Sequence, residues 1–202
     1  MKFGARIGAI LLLLSTINCV SGDEQAVDVV KKTTSSVLDR VRTEKEVLRA
    51  DPAKMYALVS EVIFPHFDFE IMSKWVLGGN WGEAQEELRV EFVSQYRKLL
   101  VRTYASALLE VSDQEIAYPD NADTGNVNTA VVRQNISGSG GTNLPVVYRL
   151  HNKTGKWLVF DVSVDGVSLV KTYRASFAAI IKQEGLEGLI SSLESKNAQF
   201  GE

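Results

Sequence analysis

A chain of 202 residues with two histidines and one cysteine offers few places for bond-making chemistry. His66 and His151 lie far apart in sequence, and no serine and acid stand beside either in a nucleophilic arrangement. The segment His66-Phe67-Asp68-Phe69-Glu70 alternates possible metal ligands with rings. Zinc wants three or four oriented ligands, so this cluster reads instead as a loop whose polar groups face water while Phe67 and Phe69 face inward. Asp161 is the most tempting acid: beside Tyr148 or Tyr173 in a pocket it could serve as an isomerase base with a tyrosine oxyanion donor. The competing reading makes it a strand-end carboxylate that accepts hydrogen bonds from the Gly166 turn or from Ser168. Gly138-Ser139-Gly140-Gly141 is followed by neither a Lys-Ser/Thr pair nor a helix, so it reads as a hairpin connector and not a phosphate loop.

The elements that must position these groups follow from periodicity. Apolar residues between Asp23 and Arg49 (Val27, Val30, Val37, Leu38, Val41, Val47, Leu48) fall at helical spacing. Asp51-Pro52 predicts a fresh helix start with Asp as N-cap and Pro in the first turn, ending near Phe64-Pro65. A short helix over Asp68–Val76 stops at Gly78-Gly79. A long helix is expected over Glu83–Leu109, with Glu83, Glu86 and Glu87 complementing its dipole. Its residues Leu88, Phe92, Tyr96, Leu100, Tyr104 and Leu108 recur every four positions and therefore drift by about 40° per step on a 3.6-residue helix. Such a sector wraps far enough to touch both a core and a cavity wall.

Strands follow at Glu115–Tyr118, Val127–Ile136, Leu144–Asn152 and Lys156–Val164, with Asn121–Asn126 and Gly138–Asn143 as turn-rich connectors. Two helical pieces, Leu169–Gln183 and Leu186–Ser195, close the chain. Helices followed by consecutive strands predict an α+β fold, a four-stranded antiparallel sheet packed against a layer of helices. A four-residue hairpin loop at Asn152–Gly155 would pair His151 with Lys156. Val146, Tyr148, Leu150, Trp157, Val159 and Asp161 would then share one sheet face, and Val147, Arg149, His151, Leu158 and Phe160 the other.

Composition supplies the address. Lys2 and Arg6 precede an apolar run, Ile7–Leu14, and small residues at Ser21-Gly22, the pattern of a secretory signal over residues 1–21. The run is too short to span a bilayer comfortably. Acylation of Cys19 is the rival, but Asn18 stands where a lipoprotein signal wants a small residue. Removing residues 1–21 takes away two of the 22 cations and none of the 25 acids, leaving 20 − 25 = −5. A mildly acidic, cysteine-free remainder fits an oxidising compartment and does not favour nucleic acid. Residues 22–202 read as one domain.

An ordered series of residues resembles a known family, the periplasmic phospholipid-binding MlaC (toluene-tolerance) family of the Mla lipid-transport pathway. It comprises Pro65, Val76-Leu77-Gly78, Phe92, Tyr96 and Tyr104, then Gly155-Lys156-Trp157, Asp161, Gly166-Val167-Ser168-Leu169, Tyr173, Phe177 and Gly185-Leu186-Glu187-Gly188-Leu189. The resemblance implies a soluble, non-enzymatic periplasmic carrier with no cofactor, phospholipid being its carried ligand in an apolar cavity between sheet and helices. Carried over residue by residue, the expected lining is Val76, Leu77, Phe92, Tyr96, Leu100, Tyr104, Val146, Tyr148, Trp157, Val159, Val167, Leu169, Tyr173 and Phe177. The implied partners are an outer-membrane lipoprotein complex and the inner-membrane ABC transporter ring of the Mla system.

Physical chemistry says why such a carrier needs enclosure. Two acyl chains carry roughly 30 methylenes at about 0.8 kcal/mol each on leaving water, a gross cost on the order of 20 kcal/mol. Spontaneous release into water is then negligibly slow, and loading requires docking. Two readings from other classes stand beside this one: a small isomerase or hydrolase on a cone-shaped α+β fold using Asp161 and a tyrosine, and a chaperone-like module that binds peptide.

Overall fold

The computed structural model describes residues 22–119, 123–126, 128–138, 143–153 and 155–198. The expected signal segment lies outside them. Helix α1 covers Gly22–Ala50, with a break in helical geometry at Glu44 (φ −109°, ψ 15°). Asp51 then caps α2 (Pro52–Val62), its side chain accepting from the amides of Ala53 and Lys54. A 3₁₀ turn over Phe64–His66 leads to α3 (Phe69–Leu77), capped by Asp68. Gly78 terminates α3 at φ 58°, a conformation that a Cβ disfavours, and is followed by the single-turn α4 (Gly79–Glu83) and the long α5 (Glu86–Val111).

The antiparallel sheet runs β1 (Glu115–Ala117), β3 (Thr129–Ser137), β4 (Asn143–Asn152), β5 (Trp157–Val164), β6 (Val167–Ser168) in spatial order. A further strand, β2 (Asp123–Asn126), pairs with β3 beside β1. The four expected strands are present; β2 falls in the stretch read as a connector, and β6 forms because Asp165-Gly166, both at positive φ, turn the chain tightly enough to pair Val167 with Val164. Helix α6 (Leu169–Ala198) is interrupted at Gly185 (φ 75°, ψ 179°), giving the two expected pieces.

The register corrects the face assignment. Asn152 pairs with Trp157 and Leu150 with Val159, so the loop is one residue further along than expected. A bulge then places Arg149 opposite Asp161 and Tyr148 opposite Val162. The extra residue, Phe160, reverses the alternation beyond it. Val162 and Val164 therefore join Val146 and Tyr148, while Asp161 moves to the other face with Arg149 and Ser163.

Apolar burial divides into three clusters. One joins α3, α5 and α6 around Met72, Phe92, Tyr96, Phe177 and Leu189. A second lies between α1 and the sheet around Val30, Val132, Leu150 and Trp157. The third joins α1, α2 and α5 around Val41, Met55 and Val101.

Candidate functional site

Between these clusters lies an apolar cavity of ≈ 410 Å³. Val59 of α2, Ile63 and Phe64 of the following turn, and Phe69 and Met72 of α3 line one side; Leu100, Tyr104 and Leu108 of α5 continue it. The sheet contributes Ile136, Val146, Tyr148, Val162 and Val164, and Leu169 starts α6 against it. A smaller compartment of ≈ 140 Å³ adjoins it on the α1 side, and Ile63, Phe67, Leu108, Val111, Ile136 and Tyr148 line both. Val111, Ile136 and exposed Leu144 also line a recess whose polar rim is Glu110, Gln114 and Asn143.

The polar atoms inside are few and neutral. Burial, then the neighbouring Tyr173, pushes the Tyr104 phenol far above its ordinary range. Burial likewise raises Tyr148. Both hydroxyls stay protonated at physiological pH, so the cavity presents no phenolate charge. Tyr148 Oη (3.4 Å) and Thr34 Oγ1 (3.2 Å) both donate to Gln134 Oε1 on the floor of the smaller compartment, which satisfies three polar side chains among apolar ones.

The fourteen residues expected at the lining are distributed over five places. Leu100, Tyr104, Val146, Tyr148 and Leu169 line the larger compartment; Val159, with Tyr148, lines the smaller. Val76, Leu77, Phe92, Tyr96 and Phe177 lie instead inside the α3–α5–α6 core, with Tyr173 packed against it. The reason is the helical drift: three four-residue steps from Phe92 to Tyr104 rotate the side chain by about 120°, from α6 round to the cavity. Trp157 is buried in the core between α1 and the sheet, and Val167 is 58 % exposed beside the β5–β6 turn. The lining missed by sequence reasoning comes from α1, the Ile63–Phe69 segment, further residues of α5 and the sheet. Val101, Ala105 and Leu108, spaced i, i+4 and i+7 on α5, carried a usable helical signal.

Asp161 is committed elsewhere. Its carboxylate accepts from Ser168 Oγ (2.7 Å), Arg149 Nη1 (2.9 Å) and the Val170 amide (3.2 Å). It sits at the start of α6 and on the sheet face opposite Tyr148, an anion at a helix N-terminus. The His66–Glu70 loop also differs from expectation, since Asp68 is not turned to water: it accepts from the Ile71 amide (2.9 Å) and pairs with the buried His151 Nε2 (2.8 Å). Glu70 is exposed and Phe69 buried. Among the described residues no three His, Cys, Asp or Glu side chains could hold a metal, and no helix is long and apolar enough to cross a membrane.

A sheet and a helical layer held apart by an apolar cavity, with polar groups kept to its rim and one floor, define a small α+β binding protein for an apolar ligand. The model of the MlaC protein family matches residues 31–195, and the chain belongs to that family. It is 31% identical over 160 residues to the toluene tolerance protein ttg2D of Pseudomonas putida, covering 78% of this chain and 74% of that one. It is 24% identical over 174 residues to the intermembrane phospholipid transport system binding protein MlaC of Haemophilus influenzae, covering 85% and 81%. Among solved structures it resembles the phospholipid-binding protein of Ralstonia solanacearum in complex with a phospholipid. That match has a TM-score of 0.80 at 29% identity and covers 88% of this chain and 99% of that one.

Proposed function

We propose that this chain is a periplasmic phospholipid carrier that shuttles lipid between outer- and inner-membrane complexes to maintain outer-membrane lipid asymmetry, and that it is not an enzyme. The observation that carries the reading is the ≈ 410 Å³ apolar cavity, in a family whose relatives are named for phospholipid binding and transport. The acyl tails lie against Leu100, Tyr104, Val146, Tyr148, Val159 and Leu169. The polar head stays outside at the Glu110–Gln114–Asn143 rim, where it keeps its hydration. Residues 1–21 serve as the signal that delivers the chain to the periplasm. The partners are the outer-membrane lipoprotein complex and the inner-membrane ABC transporter ring of the Mla system, which offer the tails an apolar path.

The test is native mass spectrometry of the mature protein from a periplasmic extract, followed by denaturing extraction and lipid analysis. A bound mass equal to one or two phospholipids is the expected result. Protein of bare mass, still empty after incubation with phospholipid vesicles and the membrane partners, would overturn the reading.

A further inference from the structure

A second concavity lies on the outer side of the cavity wall. It is a groove of ≈ 480 Å³ along the N-terminal half of α5, lined by Arg89, Ser94 and Arg97 of that helix, Trp81 of α4 and the carboxylates Glu70 and Glu86. Both arginines are held by rings. The Arg89 guanidinium lies 5.5 Å from the Trp81 ring centre, and that of Arg97 lies 4.8 Å from Phe69 and 5.6 Å from Phe64. Phe64 and Phe69 also line the apolar cavity, so Arg97 covers the back of its wall.

Neither arginine has an acid within ion-pair distance among the described residues. The Nε of each is buried without a hydrogen-bond partner. Orphaned donors on charged groups are costly and call for an explanation. Arg89 Nη2 donates to the Gly82 carbonyl (3.2 Å); stacking otherwise fixes the guanidinium planes and leaves neither charge paired with a carboxylate. Glu70 and Glu86 share the groove yet stay apart from them. A pocket that holds both signs separated, over aromatic walls, suits a ligand that is itself a zwitterion.

We propose that this groove binds a zwitterionic phosphate ester of the phosphoethanolamine class. The phosphate sits on the Arg97 and Arg89 guanidinium edges, with Ser94 as a neutral donor, and the ammonium faces Glu70. The site stands on its own geometry and is distinct from the cavity, whose polar rim lies at the far, C-terminal end of α5. The same chemistry is presented by a lipid headgroup in a membrane and by a free phosphate ester.

The experiment follows the arginine Nε–H NMR signals of the mature protein during titration with sn-glycero-3-phosphoethanolamine and, separately, sn-glycero-3-phosphoglycerol. Saturable shifts of Arg89 and Arg97 are expected, with the ethanolamine ester at least fivefold tighter. Arg97→Gln should weaken it tenfold or more, and Glu70→Gln, an exposed change that leaves the packing alone, should erase the preference. Absence of saturable shifts, equal affinity of the wild type for both esters, or an unchanged Glu70→Gln preference would overturn the proposal. In a second arm the protein is sedimented with vesicles of phosphatidylglycerol with or without phosphatidylethanolamine. Ethanolamine-dependent retention lost in Arg97→Gln assigns the ligand to a membrane headgroup; soluble binding alone assigns it to a free ester. Lipid content measured on the same preparations tests the carrier function independently of either arm.

Discussion

Asp161 shows how a residue that resembles a catalytic group is used for architecture. Asp161 ties three elements together, accepting from Ser168 of β6, Arg149 of β4 and the second amide of α6, while Ser168 Oγ also accepts from the Lys171 amide as the helix cap. Hydrogen bonds to a charged acceptor are worth about 1.5–3 kcal/mol each. Asp161→Asn keeps the shape but weakens the set, so a loss of about 2 kcal/mol is expected, a melting point lower by about 4–8 °C. Calorimetry checks the shift and mass spectrometry the lipid content. Retained lipid with a lowered melting point supports a structural Asp161; lost lipid at an unchanged melting point would contradict it. His66, at the smaller compartment, has its pKa lowered by desolvation. The unfolded chain then binds a proton near the ordinary histidine value while the folded chain does not, so stability is full above that value and declines as pH falls through the folded pKa. A fluorescence-monitored melting series between pH 7.5 and 5 should show this decline, and His66→Gln should flatten part of it.

At the scale of the element, legibility follows how local the cause is. The Asp51 cap, the Gly78 stop, the length of α5 and the Gly185 break all arise from residues adjacent in sequence, and each was readable. Gly78 carries a further constraint, since an added Cβ would stand 3.0 Å from Arg174 Nη2 at φ 58°. Gly78→Ala should therefore destabilise by about 1–2 kcal/mol, measured by urea unfolding; an unchanged midpoint would show that the α3–α4 corner relaxes at no cost. The bulge at Phe160 was not readable, because it is a property of the β4–β5 pair and no residue in either strand announces it. It alone moved Asp161 off the cavity face. The lining was legible only in part for a related reason. Core and cavity wall draw on the same apolar side chains, and which of Phe92, Tyr96, Leu100 and Tyr104 meets α6 or empty space depends on helix rotation against partners distant in sequence.

For the whole molecule, the cavity sets a stability problem that its ligand resolves. Enclosed empty apolar space destabilises by about 24 cal/mol per Å³ where the walls cannot collapse, so ≈ 410 Å³ sets an upper bound of about 10 kcal/mol. That is comparable to the entire stability of an ordinary domain, about 5–15 kcal/mol. Two outcomes satisfy it: tails fill the space, or Ile63, Phe67 and Leu108, which part the two compartments, fold inward and shrink it. Tyr104→Glu and Val147→Glu separate a charge placed in this space from one placed on the far sheet face. The first buries a carboxylate among Leu100, Leu108 and Val146 and should abolish lipid retention. The second, on the face of Arg149, should retain lipid, and equal lipid content in the two would refute the cavity as the site. The wild type makes the same point without mutation. Stripped of lipid by detergent exchange, it should melt at least 10 °C below the loaded form, because a ligand that binds only the folded state adds its binding free energy to stability. The two curves would coincide only if the walls had closed over the vacated space as favourably as the tails had filled it, and the protein would then hold its cargo by slow exit and not by affinity.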